Sequence, residues 1–205
     1  FHNLETCFYP IPLYDVLEFT ESKVFELLLF GNKIEGSTAD NLLSRVWRYM
    51  NIEYGIPPVR IALLKFIPSG AGLGGGSADA AFFVSELNTY FDLSLTLPQM
   101  EKMVLRFGSD CPFFVRNRPV IAMGRGEIMT NISLSLSDFY LTVVFPGYFI
   151  STALAFQRIK PQKPTISIGK VLQKDISHWR DELVNDFQPI AIEMFPGIGE
   201  IIENL

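Results

Sequence analysis

The run Ile67–Ala81, IPSGAGLGGGSADAA, carries five glycines in fifteen residues. Glycine loses more backbone freedom on folding than any other residue and brings nothing to a core. Such density is tolerated where another group must approach the backbone more closely than a Cβ allows. A strand-like run, Val59–Lys65 (VRIALLK), precedes it. A helical pattern follows, with Ala80, Val84, Leu87 and Phe91 at i, i+4, i+7 and i+11. Between strand and helix, successive N–H groups can converge on one point, and the first helical turn adds unpaired donors and a partial positive charge. The guest suited to such a site is an anion, phosphate above all. Side chains at Gly72, Gly74, Gly75 and Gly76 would block its approach. Ser77 has two candidate parts, helix N-cap and hydroxyl beside the phosphates.

Three other patterns compete. A P-loop, GxxxxGK[ST], fails because Gly76 and not lysine precedes Ser77. Gly70-x-Gly72-x-x-Gly75 matches the dinucleotide fingerprint, but the acidic residue expected at the end of a second strand about 20 positions on is absent; Glu101, near that distance, follows Pro98 on a helical stripe. A tight turn alone needs one or two glycines, not five.

The rest of the chain bounds the answer. It has 205 residues, 48% hydrophobic and 19% charged, a globular composition with enough length for one large domain or two small ones. A formal charge of −5 argues against nucleic acid or an anionic membrane as partner. No run approaches the roughly 18 apolar residues of a membrane span. Two cysteines, Cys7 and Cys111, make neither a disulfide framework nor a metal cluster and fit a reducing cytosol. The opening FHNLET is not a signal peptide, and the ending PGIGEIIENL reads as mid-helix, so a fragment of a longer protein is expected. Val24–Phe30, Val120–Met123 and Tyr140–Phe145 are further strand candidates. Asp40 is the candidate N-cap of a helix bearing Leu42, Leu43, Val46, Trp47 and Met50. Another helix follows Pro98, with Met100, Met103, Val104 and Phe107 on one stripe and Gly108 as its stop. Pro146-Gly147 turns the chain, Ser151 or Thr152 caps a short helix to about Arg158, and Asp181–Ile192 and Gly197–Leu205 look helical. The order lacks a clean βαβαβ rhythm, which favours α+β.

Pro68-Ser69-Gly70-Ala71-Gly72-Leu73-Gly74-Gly75-Gly76-Ser77-Ala78-Asp79-Ala80-Ala81 resembles the phosphate-binding motif of the GHMP kinase superfamily. Other elements follow in the order of the branch that phosphorylates a cytidine-diphosphate-linked methylerythritol. They are Phe1-His2-x-Leu4, Asp40-Asn41-Leu42, Lys65-Phe66-Ile67-Pro68, Gly108-Ser109-Asp110-Cys111-Pro112-Phe113-Phe114, Pro146-Gly147 with Ser151-Thr152 and Phe156, and Asn185-Asp186-Phe187. Three departures stand out: Phe1 replaces a Tyr, Ala78 a common second serine, and Gln188 a usual Glu. The branch's N-terminal Pro-x-Lys-x-Asn segment and C-terminal Gly/Ser loop are not in this sequence.

The resemblance implies a GHMP kinase fold. Residues 1–137 would be an ATP-binding domain like domain 2 of ribosomal protein S5, and residues 138–205 the start of a ferredoxin-like α/β domain. It implies ATP with Mg2+, no assignable metal ligand, a cytoplasmic monomer or homodimer, and no nucleic-acid or membrane partner. The nucleotide would meet Lys65, Pro68, Gly70, Ala71, Gly72, Leu73, Gly74, Gly75, Gly76, Ser77 and Asn41, with Lys65 and Asn41 near the adenosine. Asp110 would receive the substrate hydroxyl, in the way a carboxylate aligns and deprotonates an acceptor. Phe1 and Phe156 would sandwich cytosine, with His2 reading its edge and Thr152 near. Taken alone, Asp110 reads as turn chemistry before Pro112, Lys65 as a solvated strand end, and Phe1 and Phe156 as core. Cys111 has no nearby His and is not a nucleophile, and His178 is a surface residue. The competing functions are another GHMP kinase, acting on mevalonate, homoserine or a sugar, and a non-catalytic nucleotide binder.

Overall fold

The computed structural model describes residues 3–162 and 164–205. Its strands are β1 (Leu4–Phe8), β2 (Val16–Glu21), β3 (Glu26–Gly31), β4 (Val59–Lys65), β5 (Val120–Gly124) and β6 (Ile128–Asn131). Its α-helices are α1 (Leu42–Tyr54), α2 (Gly75–Tyr90), α3 (Leu97–Val104), α4 (Cys111–Arg116), α5 (Thr152–Arg158), α6 (Ile168–Val171), α7 (Trp179–Glu182), α8 (Gln188–Met194) and α9 (Gly197–Asn204). Two units emerge: Tyr9–Arg118, and the chain up to Phe8 together with Pro119–Leu205. The mixture of parallel and antiparallel pairs with separate helices is α+β.

In the Tyr9–Arg118 unit the sheet order is β2-β4-β3. Strand β4 lies in the middle, antiparallel to β2 and parallel to β3, and helix α1 makes the crossover that a parallel pair requires. Along β4 burial alternates, so Val59, Ile61, Leu63 and Lys65 all turn the same way, inward. The first three meet Val46 and Met50 of α1, Phe83 and Leu87 of α2 and Met103 of α3 in one core. Trp47 stacks on Phe25 with centroids 4.3 Å apart and donates its Nε1 proton to the Pro57 carbonyl.

Several sequence expectations shift by a turn. Asn41, not Asp40, caps α1: its Oδ1 accepts the Leu43 N–H at 2.9 Å, while Asp40 accepts from the Ser37 hydroxyl. Helix α3 stops at Val104, before Gly108, although Phe107 still packs on the core. Helix α2 opens at Gly75 with Gly74 as its cap, so Ser77 sits inside the first turn and is not the N-cap. The helix expected over Asp181–Ile192 is broken: Leu183 leaves helical geometry, and Asn185 Oδ1 accepts the Phe187 N–H in an Asx turn. Helix α8 then restarts with Pro189 in its first turn.

In the other unit the sheet order is β1-β5-β6, antiparallel throughout. Glu5 of β1 accepts the first N–H of α6, from Ile168, at 2.8 Å. Tyr140–Phe145 is not a strand, because no described segment offers it a hydrogen-bonding edge, and its apolar side chains are exposed.

The handover from β4 to the following loop is fixed by β3. Gly31, at φ +78°, pairs with Lys65, and a Cβ there would stand 2.3 Å from the Lys65 carbonyl oxygen. Asn32 donates its backbone N–H to the same oxygen and its Nδ2 to the Phe66 carbonyl. Gly31→Ala therefore combines a left-handed Cβ penalty with a backbone clash and is expected to cost about 2–4 kcal/mol in denaturant unfolding. Gly55 caps α1 at φ +67° with open space around it, so Gly55→Ala is expected to cost only about 1 kcal/mol.

Candidate active site

Between β4 and α2 the backbone alternates in handedness. Gly70, Gly72 and Gly74 have φ of +77°, +73° and +68°, whereas Ala71 and Leu73 between them do not enter the positive-φ region. Such alternation turns successive N–H groups into one concavity, a nest for an anion, and the open first turn of α2 continues it. Gly74 caps that helix without a side chain; its carbonyl accepts the Ala78 N–H at 2.9 Å.

The nest is one wall of a cleft of about 410 Å³. Residues 68–77 line that wall, Ile34, Glu35 and 40–43 also face the cleft, and Lys65 and Asp79 complete the lining. Asn41, Lys65, Pro68 and Gly70–Ser77, the residues expected at the nucleotide, all border this one space. At two glycines here a Cβ would crowd its neighbours. A Cβ on Gly74 would stand 2.8 Å from the Phe114 ring, and one on Gly75 2.9 Å from Ile67 Cγ2 and 3.3 Å from Lys65 Nζ.

Lys65 is no solvated strand end. It is 4% exposed, and its ammonium donates to Asp15 Oδ2 and, at 2.8 Å, to Asp79 Oδ2. Asp15 uses its other oxygen to accept the Phe66 and Ile67 N–H groups at 2.7 and 2.9 Å. The two carboxylates respond oppositely to one cation. For Asp15, burial disfavours charge, but the Lys65 ammonium and the two amides outweigh it and hold the pKa below the usual carboxylate range. For Asp79, burial wins over Lys65, with the Asp15 charge adding to it, and the pKa is pushed up to about 6.

Asp110 stands just before α4. Its side chain makes no capping bond, so the turn-chemistry reading of this residue has no hydrogen bond behind it. The residue is exposed, yet enough protein surrounds its carboxyl to push the pKa above the ordinary value through desolvation. Among the described residues no cation pairs with it. The same turn reaches α2: a Cβ on Gly108 would lie 3.3 Å from Cys111 Sγ and 3.7 Å from Ser77 Oγ. The Ser77 hydroxyl hydrogen-bonds the Cys111 thiol, which is fully buried and whose pKa burial raises, so this cysteine is inert.

Of the residues expected at cytidine, Thr152 and Phe156 belong to the other unit. Phe156, on α5, meets the Phe187 ring edge-to-face at 5.1 Å. Thr152 opens that helix. Phe1 and His2 lie outside the described residues, as does the Thr152 side chain.

Two residues at this site escaped the sequence reading, Asp15 and Asp79. Asp79 stood in the glycine motif, and its signal was an acid two residues beyond Ser77 at the start of an otherwise apolar helix. Asp15 gave none, since its partners are 50 residues or more away in sequence.

Comparison with known proteins agrees with this geometry. Residues 41–118 match the family model "GHMP kinases N terminal domain". The chain is 42% identical to the 4-diphosphocytidyl-2-C-methyl-D-erythritol kinase of Bacteroides thetaiotaomicron, over 98% of this chain and 75% of that protein. It is 38% identical to the enzyme of that name from Parabacteroides distasonis, over 100% of this chain and 76% of that one. A crystal structure of 4-(cytidine 5'-diphospho)-2C-methyl-D-erythritol kinase superposes with a TM-score of 0.76 at 27% identity, covering 98% of this chain and 72% of the other. At this identity, and with some three-quarters of each relative's length spanned, the chain belongs to the 4-diphosphocytidyl-2-C-methyl-D-erythritol kinase family of GHMP kinases.

Proposed function

We infer that the chain transfers the γ-phosphate of ATP to the 2-hydroxyl of 4-diphosphocytidyl-2-C-methyl-D-erythritol, a step of the non-mevalonate route to isoprenoid precursors. The observation that carries the chemistry is the alternating-handed glycine loop forming one wall of a cleft that Lys65 also lines. Phosphoryl transfer passes through a loose transition state, so the protein contributes chiefly position and charge stabilisation. In this reading the nest and the first turn of α2 hold the triphosphate, while Lys65 and Asn41 lie toward the adenosine. Asp110 aligns the acceptor hydroxyl and takes its proton; an uncapped, solvent-reachable carboxylate with a raised pKa suits that work. Phe156 supplies an aromatic face for cytosine, together with Phe1, and His2 and Thr152 supply polar contacts.

Mg2+ is part of this proposal as the counter-charge that travels with ATP. Among the described residues no group of three or more His, Cys, Asp or Glu could hold a metal. Mg2+ that travels with a nucleotide is held largely by phosphate oxygens and water. The domain boundary near residue 137, a cytoplasmic location and a monomeric or homodimeric state belong to the same proposal. No helix among the described residues is long and apolar enough to cross a membrane.

Purified protein is expected to phosphorylate the cytidylyl substrate and to leave mevalonate and homoserine untouched, read by ADP release; turnover of either instead would overturn the substrate assignment. Asp110→Asn should lower kcat by about 10²–10⁴ while leaving the KM for ATP nearly unchanged. The working form is the carboxylate and its pKa is raised, so wild-type kcat at saturating ATP should fall as the pH drops through a value above the ordinary carboxylate range. That acid limb should vanish in the Asp110→Asn variant.

A further inference from the structure

Asp15 sits in the segment before β2, outside the cleft lining, and Asp79 on α2 lies within it. Both side chains are buried, at 2% and 10% exposure, and both end on one ammonium. Lys65 closes β4, where the chain enters the glycine loop, and Asp79 lies just past the loop's exit into α2. The Lys65–Asp79 bond therefore joins the two stems of the loop directly. Asp15 backs the entering stem twice, through Lys65 and through the N–H groups of Phe66 and Ile67. Glycine at position 75 lets the exit stem come this close, since a Cβ there would be 3.3 Å from Lys65 Nζ.

We propose that Asp15 and Asp79 are positioning residues for the nucleotide: through Lys65 they clasp the entry and exit of the glycine loop and so hold its N–H groups in the binding arrangement. The proposal rests on the assignment of ATP to this cleft and deepens it. A loop whose alternate residues Gly70, Gly72 and Gly74 are glycines has little stiffness of its own. Without the clasp it samples many shapes, and the nucleotide must select the competent one, which lowers apparent affinity by the fraction that remains competent. The clasp acts equally on bound substrate and bound transition state, so its loss appears in the ATP KM and not in kcat. The charged groups facing Asp79 are Lys65 on β4 and Asp15 before β2; Glu35 and Asp40 line the same cleft.

The test uses Asp15→Asn and Asp79→Asn in the whole protein. Each variant is expected to raise the ATP KM, and the Kd for ATP by calorimetry, about tenfold, with kcat and the cytidylyl-substrate KM within about twofold. Asp79→Asn also guards against misfolding. A carboxyl whose pKa is raised on folding stabilises the native state below its unfolded value and loses that contribution as the pH rises through about 6, so the variant should melt no lower than wild type at pH 8. The same titration gives a readout that a purely structural role would not move. The ratio of variant to wild-type Kd should be about ten at pH 8 and close toward one below about pH 5, where the wild-type carboxyl is itself neutral. Comparison of the two proteins at each pH cancels the titration of ATP itself. An unchanged ATP Kd in both variants, tighter ATP binding by Asp79→Asn, or equal losses in both substrate KM values and kcat would each overturn the clasp. Failure of wild type to turn over the cytidylyl substrate would instead overturn the functional assignment, and the calorimetric Kd would still report on the clasp.

Discussion

One buried ammonium, on Lys65, decides how the Tyr9–Arg118 unit presents its loop. The two-residue period of β4 sets it up: a strand that points Val59, Ile61 and Leu63 at the core must point its next odd position there too. A cation at that position cannot be left alone, because desolvating an unpaired charge costs several kcal/mol or more. Two carboxylates answer it, from the segment before β2 and from α2, so strand, loop and helix share one electrostatic centre. Buried ion pairs add little net stability compared with apolar residues of the same size. What this one adds is geometry, since it joins the end of β4 to the start of α2.

The glycines make sense against that centre. They do different work at different positions. Gly70, Gly72 and Gly74 supply the left-handed φ values that turn N–H groups into the nest. Gly74 and Gly75 also permit close packing, against Phe114 of α4 and against Ile67 beside Lys65. The Phe114 contact and the Ser77–Cys111 hydrogen bond tie the start of α2 to α4, which Asp110 precedes. The glycine loop and the proposed acceptor carboxylate thus adjoin the same two helices.

The sequence was most legible where a local rule acts. The alternation of Val59–Lys65 and the helical stripes through Val46 and Met50 and through Val84 and Leu87 all emerge where pattern places them. The glycine motif gave the cleft's wall. Caps were read one to three residues off, at Asp40 for Asn41 and Ser77 for Gly74, because several residues in a row could serve and backbone geometry chooses among them. Short edge elements were missed: β1, β2 and β6 are four to six residues long; the partners of β1 and β2 are remote in sequence, and β6 is only four residues long. Tyr140–Phe145 failed the other way. Its apolarity and β-branched, aromatic content are those of a strand, but strand formation is a property of a pair, and a pattern in one segment cannot show whether an edge is there to receive it. Taken alone, Lys65 left a solvated strand end open for a related reason: its burial depends on two acids, one of them 50 residues away in sequence.

The carboxylates divide by accessibility as their work requires. Asp15 is buried and Asp79 nearly so at the edge of the cleft; their oxygens act on Lys65 and, for Asp15, on the backbone, and burial sharpens these bonds by lowering the local dielectric. Asp110 is left open, uncapped and without a cation among the described residues, which suits the proposed role, since a group that receives a proton from a substrate has to be reachable and not already satisfied. Raised pKa values at Asp79 and Asp110 share one cause, desolvation, yet they report different conditions: a second acid crowded beside a single base, and a lone acid at the rim of a turn. For a reaction in which placement outweighs covalent chemistry, such a division is physically economical. In the proposed reading, a small buried polar cluster fixes the loop on the donor side, and one exposed group remains to meet the acceptor.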